Sequence, residues 1–147
     1  VIVGEGKLRP ALEARRCELV LTGTVTLAGW VNDAAAVALP AFDIFFQPSL
    51  WEAMSIALLE AMSAGKPAVT TRVGEAPYMV EHEVDGLLVN PTDIAGMTRA
   101  LTLLVDDASL RQRLGAAAVA KVARQFTVEQ MTRAYERVYL SLLNTPR

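Results

Sequence analysis

The stretch Ile44-Phe-Phe-Gln-Pro-Ser-Leu-Trp-Glu-Ala-Met-Ser-Ile-Ala-Leu-Leu-Glu-Ala-Met-Ser-Ala-Gly-Lys-Pro-Ala-Val-Thr-Thr71 reads as one strand, helix, strand unit. Ile44–Phe46 and Ala68–Thr71 are short runs of aliphatic, aromatic and β-branched residues, apolar along their length rather than alternating. That pattern is expected where helices cover both faces of a parallel sheet. Between them, Ser55–Ala64 has helical patterning; Gly65 supplies a left-handed stop and Pro67 forbids continuation.

Working outward, three more such runs appear: Val1–Val3, Val25–Ala28 and Leu87–Val89. Helical patterns separate them. Pro10 opens one through Leu19, Asn32 or Asp33 caps one through Phe42, and a short one covers Ala76–Val80. After Val89 the strands cease. Ile94–Val105, behind Pro91-Thr92-Asp93, is followed by Leu110–Arg124 and Val128–Leu143, the last with Thr127 and Gln130 as a capping box. Alternating strands and helices predict a doubly wound parallel α/β domain flanked by helices, with a helical C-terminal tail. The last helix carries Val128, Met131, Tyr135, Val138, Tyr139 and Leu142 at three-to-four spacing. This stripe must lie on something, either its own domain or another.

Composition narrows the class. At 147 residues and 52% apolar, the chain suits one core. Fourteen Lys and Arg against 16 Asp and Glu leave a net charge of −2 without a like-charge block, which excludes a nucleic-acid groove. Cys17 stands alone, excluding a disulfide framework or thiolate metal cluster and fitting a reducing cytosol. Mean hydropathy is +0.31, yet no 18-residue run escapes charge. The richest segment, Ala34 to Trp51, is broken by Pro40, Asp43, Gln47 and Pro48.

In an open α/β sheet, ligands sit at the carboxyl ends of the strands. Three such ends are informative: Gly4-Glu5-Gly6-Lys7, Gln47-Pro48-Ser49-Leu50-Trp51-Glu52 and Thr71-Arg72-Val73-Gly74-Glu75. Glu60 shares a largely apolar helix with Ile56, Leu58, Leu59, Ala61 and Met62, where a carboxylate loses hydration unless something hydrogen-bonds it. Glu52 lies in the loop before that helix. Eight residues of helix rise about 12 Å, so the two carboxylates can touch different parts of one elongated ligand but cannot form a close acid–base pair. The first-turn amides near Met54–Ile56 are free to meet a phosphate. A sugar nucleotide has the matching parts: sugar hydroxyls, a diphosphate and a ribose diol. The competing reading has Glu52 assisting the helix N-terminus and Glu60 pairing with an Arg on a neighbouring helix.

Glu52 and Glu60, followed by Ala61-Met62-Ser63-Ala64-Gly65-Lys66-Pro67-Ala68-Val69-Thr70-Thr71, resemble the E-x7-E segment of retaining GT-B glycosyltransferases of family 4 (group 1). Val1-Ile2-Val3-Gly4-Glu5-Gly6, Leu27-Ala28-Gly29-Trp30-Val31, Ala41-Phe42-Asp43-Ile44-Phe45-Phe46-Gln47-Pro48-Ser49 and Asp85-Gly86-Leu87-Leu88-Val89-Asn90-Pro91 are similar to that family's C-terminal domain in order and spacing. The resemblance spans essentially the whole chain. It implies that Glu52 lies against the transferred sugar and Glu60 binds the ribose hydroxyls. The amides of Met54, Ser55 and Ile56 would meet the sugar or diphosphate, Gly29-Trp30-Val31 would border the base, and Gly4 and Gly6 would let the first loop approach the ligand or the opposing domain. A tight βα turn accounts for both glycines equally well.

The implied reaction moves a hexose from a nucleotide diphosphate sugar to an acceptor hydroxyl with retention, without cofactor or metal. The implied partners are the nucleotide sugar, an N-terminal GT-B domain of the same polypeptide, and an acceptor glycan, lipid or small molecule. The expected location is cytoplasmic, with peripheral attachment at the inner membrane face as a variant. Residues 1–147 would be the donor-binding half, truncated at the N-terminus and inactive alone. The family's order is 3-2-1-4-5-6, and its first strand has no counterpart here. Either Val1–Val3 pairs directly with Ile44–Phe46 in a 2-1-3-4-5 sheet, or another segment fills the gap. Ala53 in place of the usual Gly, Glu75 and Tyr78 in Val73–Tyr78, and Pro40 depart from the family pattern.

Two rivals remain. One is a non-catalytic sugar-nucleotide binding or interaction module with the same fold. The other, a flavodoxin-like receiver or flavin domain, would need an acidic cluster or hydroxyl-rich phosphate loop after Val3, which is absent. His82 reads as a solvated loop histidine and Arg72 as an ion-pair partner of Glu75. Trp30 and Trp51 either stack on a base or sugar or fill the core.

Overall fold

The structure is a computed structural model and describes residues 1–143. The chain divides into two compact units, Val1–Phe42 and the segment from Asp43 onward.

In the first unit, β1 (Ile2–Val3) and β2 (Leu27–Gly29) pair in parallel, Ile2 opposite Leu27 and Val3 opposite Gly29. The connecting α1 (Arg9–Glu18) has Pro10 in its first turn, where a missing N–H costs nothing. The Arg9 guanidinium bonds Glu13 at 2.9 Å and also pairs with Glu5, and these acidic contacts raise its pKa. The helix expected from Asn32 or Asp33 to Phe42 is two pieces: α2 (Ala34–Val37), capped by Asp33, and a 3-10 turn over Leu39–Ala41. Pro40 is the reason, because its ring removes an amide donor and clashes with the preceding turn.

In the second unit, β3 (Phe45–Gln47), β4 (Ala68–Thr71) and β5 (Leu87–Val89) form a parallel sheet in that order. Around it lie α3 (Ile56–Ser63), α4 (Ala76–Met79), α5 (Ile94–Asp106) and α6 (Ala108–Gln125). Successive strand residues enter opposite cores. Ala68 and Leu88 join Leu58, Met62, Met79 and Ala118, whereas Val69, Leu87 and Val89 join Leu104 and Leu114. Both faces are therefore covered, which is why the strands are apolar throughout. Gly65, at φ +68°, ends α3, with Lys66 N–H donating to Ala61 O at 2.9 Å. Gly115 of α6 packs so close that a Cβ there would lie 2.1 Å from Gly65 O.

Within the first unit the strand order is β1-β2, and within the second it is β3-β4-β5. Two expectations need correction.

One concerns α7 (Val128–Leu143): of the two covers open to its apolar stripe, its own domain does not supply one among the described residues. Val128, Met131, Tyr135, Val138, Tyr139 and Leu142 are each more than half exposed. Phe126 is the last side chain of this region packed on the core, edge-on to Tyr78 at 5.8 Å, and the stripe begins two residues later. The capping bond from Gln130 N–H to Thr127 Oγ1 is present at 3.2 Å.

Finally, His82 is more than a solvated loop residue. Its Nδ1 accepts the Leu88 N–H at 3.0 Å, occupying a donor of β5.

Candidate functional site

The β3–α3 loop carries Glu52 on a scaffold of short-range bonds. Ser55 caps α3, its Oγ accepting the Leu58 N–H at 3.1 Å, because an extended residue there can reach a first-turn donor. Glu52 therefore does not serve as the helix cap. Its Oε1 instead accepts from Gln47 Nε2 at 3.0 Å and from Ser49 Oγ at 2.8 Å. The loop after β4 fastens this arrangement: Thr71 Oγ1 donates to Ser49 O at 2.6 Å, and Glu75 N–H to Ala53 O at 2.8 Å. Gly74, at φ +49°, allows that approach, since a Cβ there would sit 2.1 Å from Glu52 O and 2.3 Å from Ala53 O. The substituted Ala53 thus carries its carbonyl into a loop-to-loop contact.

Glu60 lies half-buried on α3, and among the described residues its carboxylate makes no hydrogen bond or ion pair. The expected alternative, an Arg on a neighbouring helix, is not realised. The backbone N–H groups of Met54, Ser55 and Ile56 likewise have no acceptor among the described residues. A free carboxylate, a held carboxylate with one open oxygen, and unpaired amides between them suit a ligand with hydroxyls at both ends and an anionic middle. Arg72 and Glu75 are both exposed and form no ion pair with each other. Trp51 is 81% exposed beside Glu52, so it does not fill the core.

In the first unit, Gly29 and Gly4 have φ of +74° and +132°, where a side chain strains the backbone. Gly6 has neither a positive φ nor a neighbour within 4 Å of an added Cβ, so nothing local demands glycine there. Trp30 is 74% exposed, excluding core filling, and its Nε1–H bonds Asn32 Oδ1 at 2.8 Å, while the adjoining Val31 is half-buried. Gly4 and Gly6 border a groove of about 340 Å³ with Ile2, Lys7 and Leu27. In the second unit, a groove of about 360 Å³ runs beside β5, lined by Arg72, His82, Asn90 and Arg99 among others. Neither groove includes Glu52 or Glu60. Among the described residues, no group of three or more His, Cys, Asp or Glu could hold a metal ion.

Of the residues the sequence singles out, Glu52, Glu60, Met54, Ser55 and Ile56 lie in the second unit on one loop and one helix. The glycines and Trp30 lie in the first unit. The roles of Gln47, Ser49, Thr71 and Gly74 were missed. A polar Gln closing an otherwise apolar strand was the available signal.

Residues 1–107 match the family described as Glycosyl transferases group 1. One similar protein is the Escherichia coli UDP-Gal:alpha-D-GlcNAc-diphosphoundecaprenol alpha-1,3-galactosyltransferase, 38% identical over 108 residues, covering 73% of this chain and 28% of that protein. Another is the lipopolysaccharide core biosynthesis glycosyltransferase LpsE of Rhizobium meliloti, 32% identical over 140 residues, covering 95% and 41%. The chain thus spans less than half the length of these relatives. Among solved structures, sucrose-phosphate synthase from Thermosynechococcus elongatus has a TM-score of 0.82 at 26% identity, covering 95% of this chain and 38% of that one. Anabaena HepE, solved in complex with UDP, has a TM-score of 0.87 at 23% identity, covering 95% and 40%. With its parallel sheets, flanking helices and helical tail in the GT-B manner, the chain belongs to the group 1 glycosyl transferases.

Proposed function

We propose that this chain is the donor-binding half of a family 4, retaining GT-B glycosyltransferase that moves a hexose from a nucleotide diphosphate sugar to an acceptor hydroxyl. The observation that carries the reading is Glu60: a half-buried carboxylate without a partner among the described residues, eight residues after a carboxylate held in place, with amides between them that have no acceptor among the described residues. Glu60 takes the ribose hydroxyls and Glu52 the transferred sugar. The amides of Met54, Ser55 and Ile56 take the diphosphate, and Gly29-Trp30-Val31 border the base. Helix-start amides stabilise the leaving diphosphate as charge develops on it, without a metal ion. An oxocarbenium-like sugar is then attacked from the leaving-group side, which retains configuration.

A second domain of the same polypeptide, the N-terminal GT-B half, completes the cleft. The uncovered apolar stripe of α7 supports this. The acceptor is a glycan, lipid or small molecule. The E. coli relative is named for a diphosphoundecaprenol-linked acceptor, which favours a lipid-linked one and attachment at the inner membrane face from the cytoplasm. Among the described residues no helix is long and apolar enough to cross a membrane.

The test uses the full polypeptide carrying this chain, with UDP-, GDP- and ADP-sugars. Glu60→Gln is expected to weaken donor binding by about 10-fold, the cost of a charge-assisted hydrogen bond, and Glu52→Gln to lower transfer. Unchanged transfer in both variants would refute the roles given to Glu52 and Glu60, whereas donor binding without transfer by the parent polypeptide would favour the rival non-catalytic binding module.

A further inference from the structure

Gln47 closes β3 after Ile44-Phe45-Phe46, where an apolar side chain would continue the run. Its Nε2 reaches two acceptors, Glu52 Oε1 at 3.0 Å and Ser55 Oγ at 2.9 Å. Ser49 Oγ donates to the same Glu52 oxygen at 2.8 Å. Both donors converge on Oε1, and Oε2 accepts no hydrogen bond among the described residues. Turning the Gln47 amide over would aim its carbonyl at the carboxylate, so charge sets the orientation. That orientation leaves Gln47 Oε1 buried with no donor among the described residues. A buried acceptor without a partner is destabilising. An apolar residue at this position would avoid that cost, so stability alone does not explain the Gln. Its remaining effects are on the Ser55 cap and on Glu52, and of the two only Glu52 carries charge.

We propose that Gln47 is a positioning residue for Glu52 and that, with Ser49, it holds Oε1 so that Oε2 alone is presented to the transferred sugar. The inference rests on the reading that Glu52 lies against that sugar. The terminal torsion of a glutamate is broad and roughly two-fold, so an untethered carboxylate would present its oxygens in many directions. Two charge-assisted bonds to one oxygen restrict that rotor before the ligand arrives, and the bond from Thr71 Oγ1 to Ser49 O fixes one donor to the sheet. Gln47 therefore acts on how the sugar is oriented, while the nucleotide is held elsewhere.

The experiment uses the full polypeptide with UDP-glucose, GDP-mannose and ADP-glucose as probes, and UDP, GDP and ADP as sugar-free controls. Gln47→Met keeps the length of the side chain and removes its donor. The expected result is unchanged affinity for the sugar-free nucleotide with kcat for the accepted donor lowered by about 10- to 100-fold, the range for a hydrogen bond to a charged group. Gln47→Glu sets a second carboxylate against Glu52 and is expected to be slower than Gln47→Met at neutral pH. It should recover as pH falls and the introduced carboxyl becomes a donor, a response that loss of packing does not produce. Ser49→Ala, which removes the other donor from the loop, is expected to lower kcat in the same direction if Gln47→Met does not fold. Parent-like kcat in folded Gln47→Met or Ser49→Ala, with Glu52→Gln impaired, overturns the clamp alone. Parent-like transfer in Glu52→Gln overturns the sugar-contact reading, and the clamp with it.

Discussion

Gly74→Ala tests whether the loop after β4 supports the Glu52 loop rigidly. The added Cβ would lie 2.1 Å from Glu52 O, 2.3 Å from Ala53 O and 2.8 Å from Glu52 C. These are backbone atoms that cannot rotate away, and separations under 3.0 Å are essentially never tolerated, so the loops must part by at least 0.9 Å. A side chain at φ +49° adds strain of about 1–2 kcal/mol, and a forced fit typically costs about 1–3 kcal/mol more. A total near 3 kcal/mol corresponds to a fall in Tm of roughly 10 °C for a domain of this size. Because the displaced segment carries Glu52, a shift of about 1 Å should also lower transfer by about 100-fold. Thermal unfolding followed by circular dichroism and donor turnover in the full polypeptide measure the two effects. Gly6→Ala is the control, with nothing within 4 Å of the new Cβ, and should stay within about 0.5 kcal/mol of the parent. If Gly74→Ala melts and turns over like the parent, the loops are not in rigid contact and the proposed support of Glu52 fails.

Two further predictions concern the frame around the site. Lys121 Nζ lies 3.1 Å from Asp85 Oδ2, with side chains 12% and 4% exposed, and Asp85 Oδ1 also accepts the Glu81 N–H at 2.7 Å. Lys121→Met should lose about 3–5 kcal/mol by leaving a buried charge unpaired. Adding Asp85→Asn, which removes the charge, should restore most of it; urea midpoints that show no recovery would rule out this account. Asp107 caps α6, and the Ser109 hydroxyl, then the Leu110 amide, hold its carboxyl below the ordinary 3.8. A folded value depressed in this way gives stability that is present above the unfolded value and lost as pH falls through the folded one. Amide protection in the first turn of α6, corrected for the intrinsic exchange rate at each pH, should therefore fall in acid, and Asp107→Asn should flatten that dependence; an unchanged profile in the variant would contradict it.

The β3–α3–β4 unit was readable because its signals act locally. Ser55 caps three residues ahead, Gly65 stops the helix it follows, and each apolar strand needs only cover on both faces. The same holds for the positions of Glu52 and Glu60, whose separation is set by one loop and one helix. Gln47 and Gly74 were not readable as site residues. A Gln at a strand end acquires its meaning only when a loop brings Ser49 and Glu52 back over it. Gly74 acquires its meaning only when the β4 loop meets the backbone of Glu52 and Ala53. His82 was misread for a similar reason, since its acceptor role depends on Leu88 passing beside it.

By itself the sequence determined the fold class, the order of strands and helices and the placing of the acidic pair, Glu52 in the loop before α3 and Glu60 on that helix, because periodicity, caps and turn residues work through neighbours a few positions apart. Only the tertiary structure decided which strands pair, and that the stripe of α7 stays uncovered. It alone revealed that Glu60 lacks a partner among the described residues and that Glu52 is held by one oxygen. These depend on which distant groups arrive at the same place, and a hydrogen bond or a covered face exists only once both partners have been brought together.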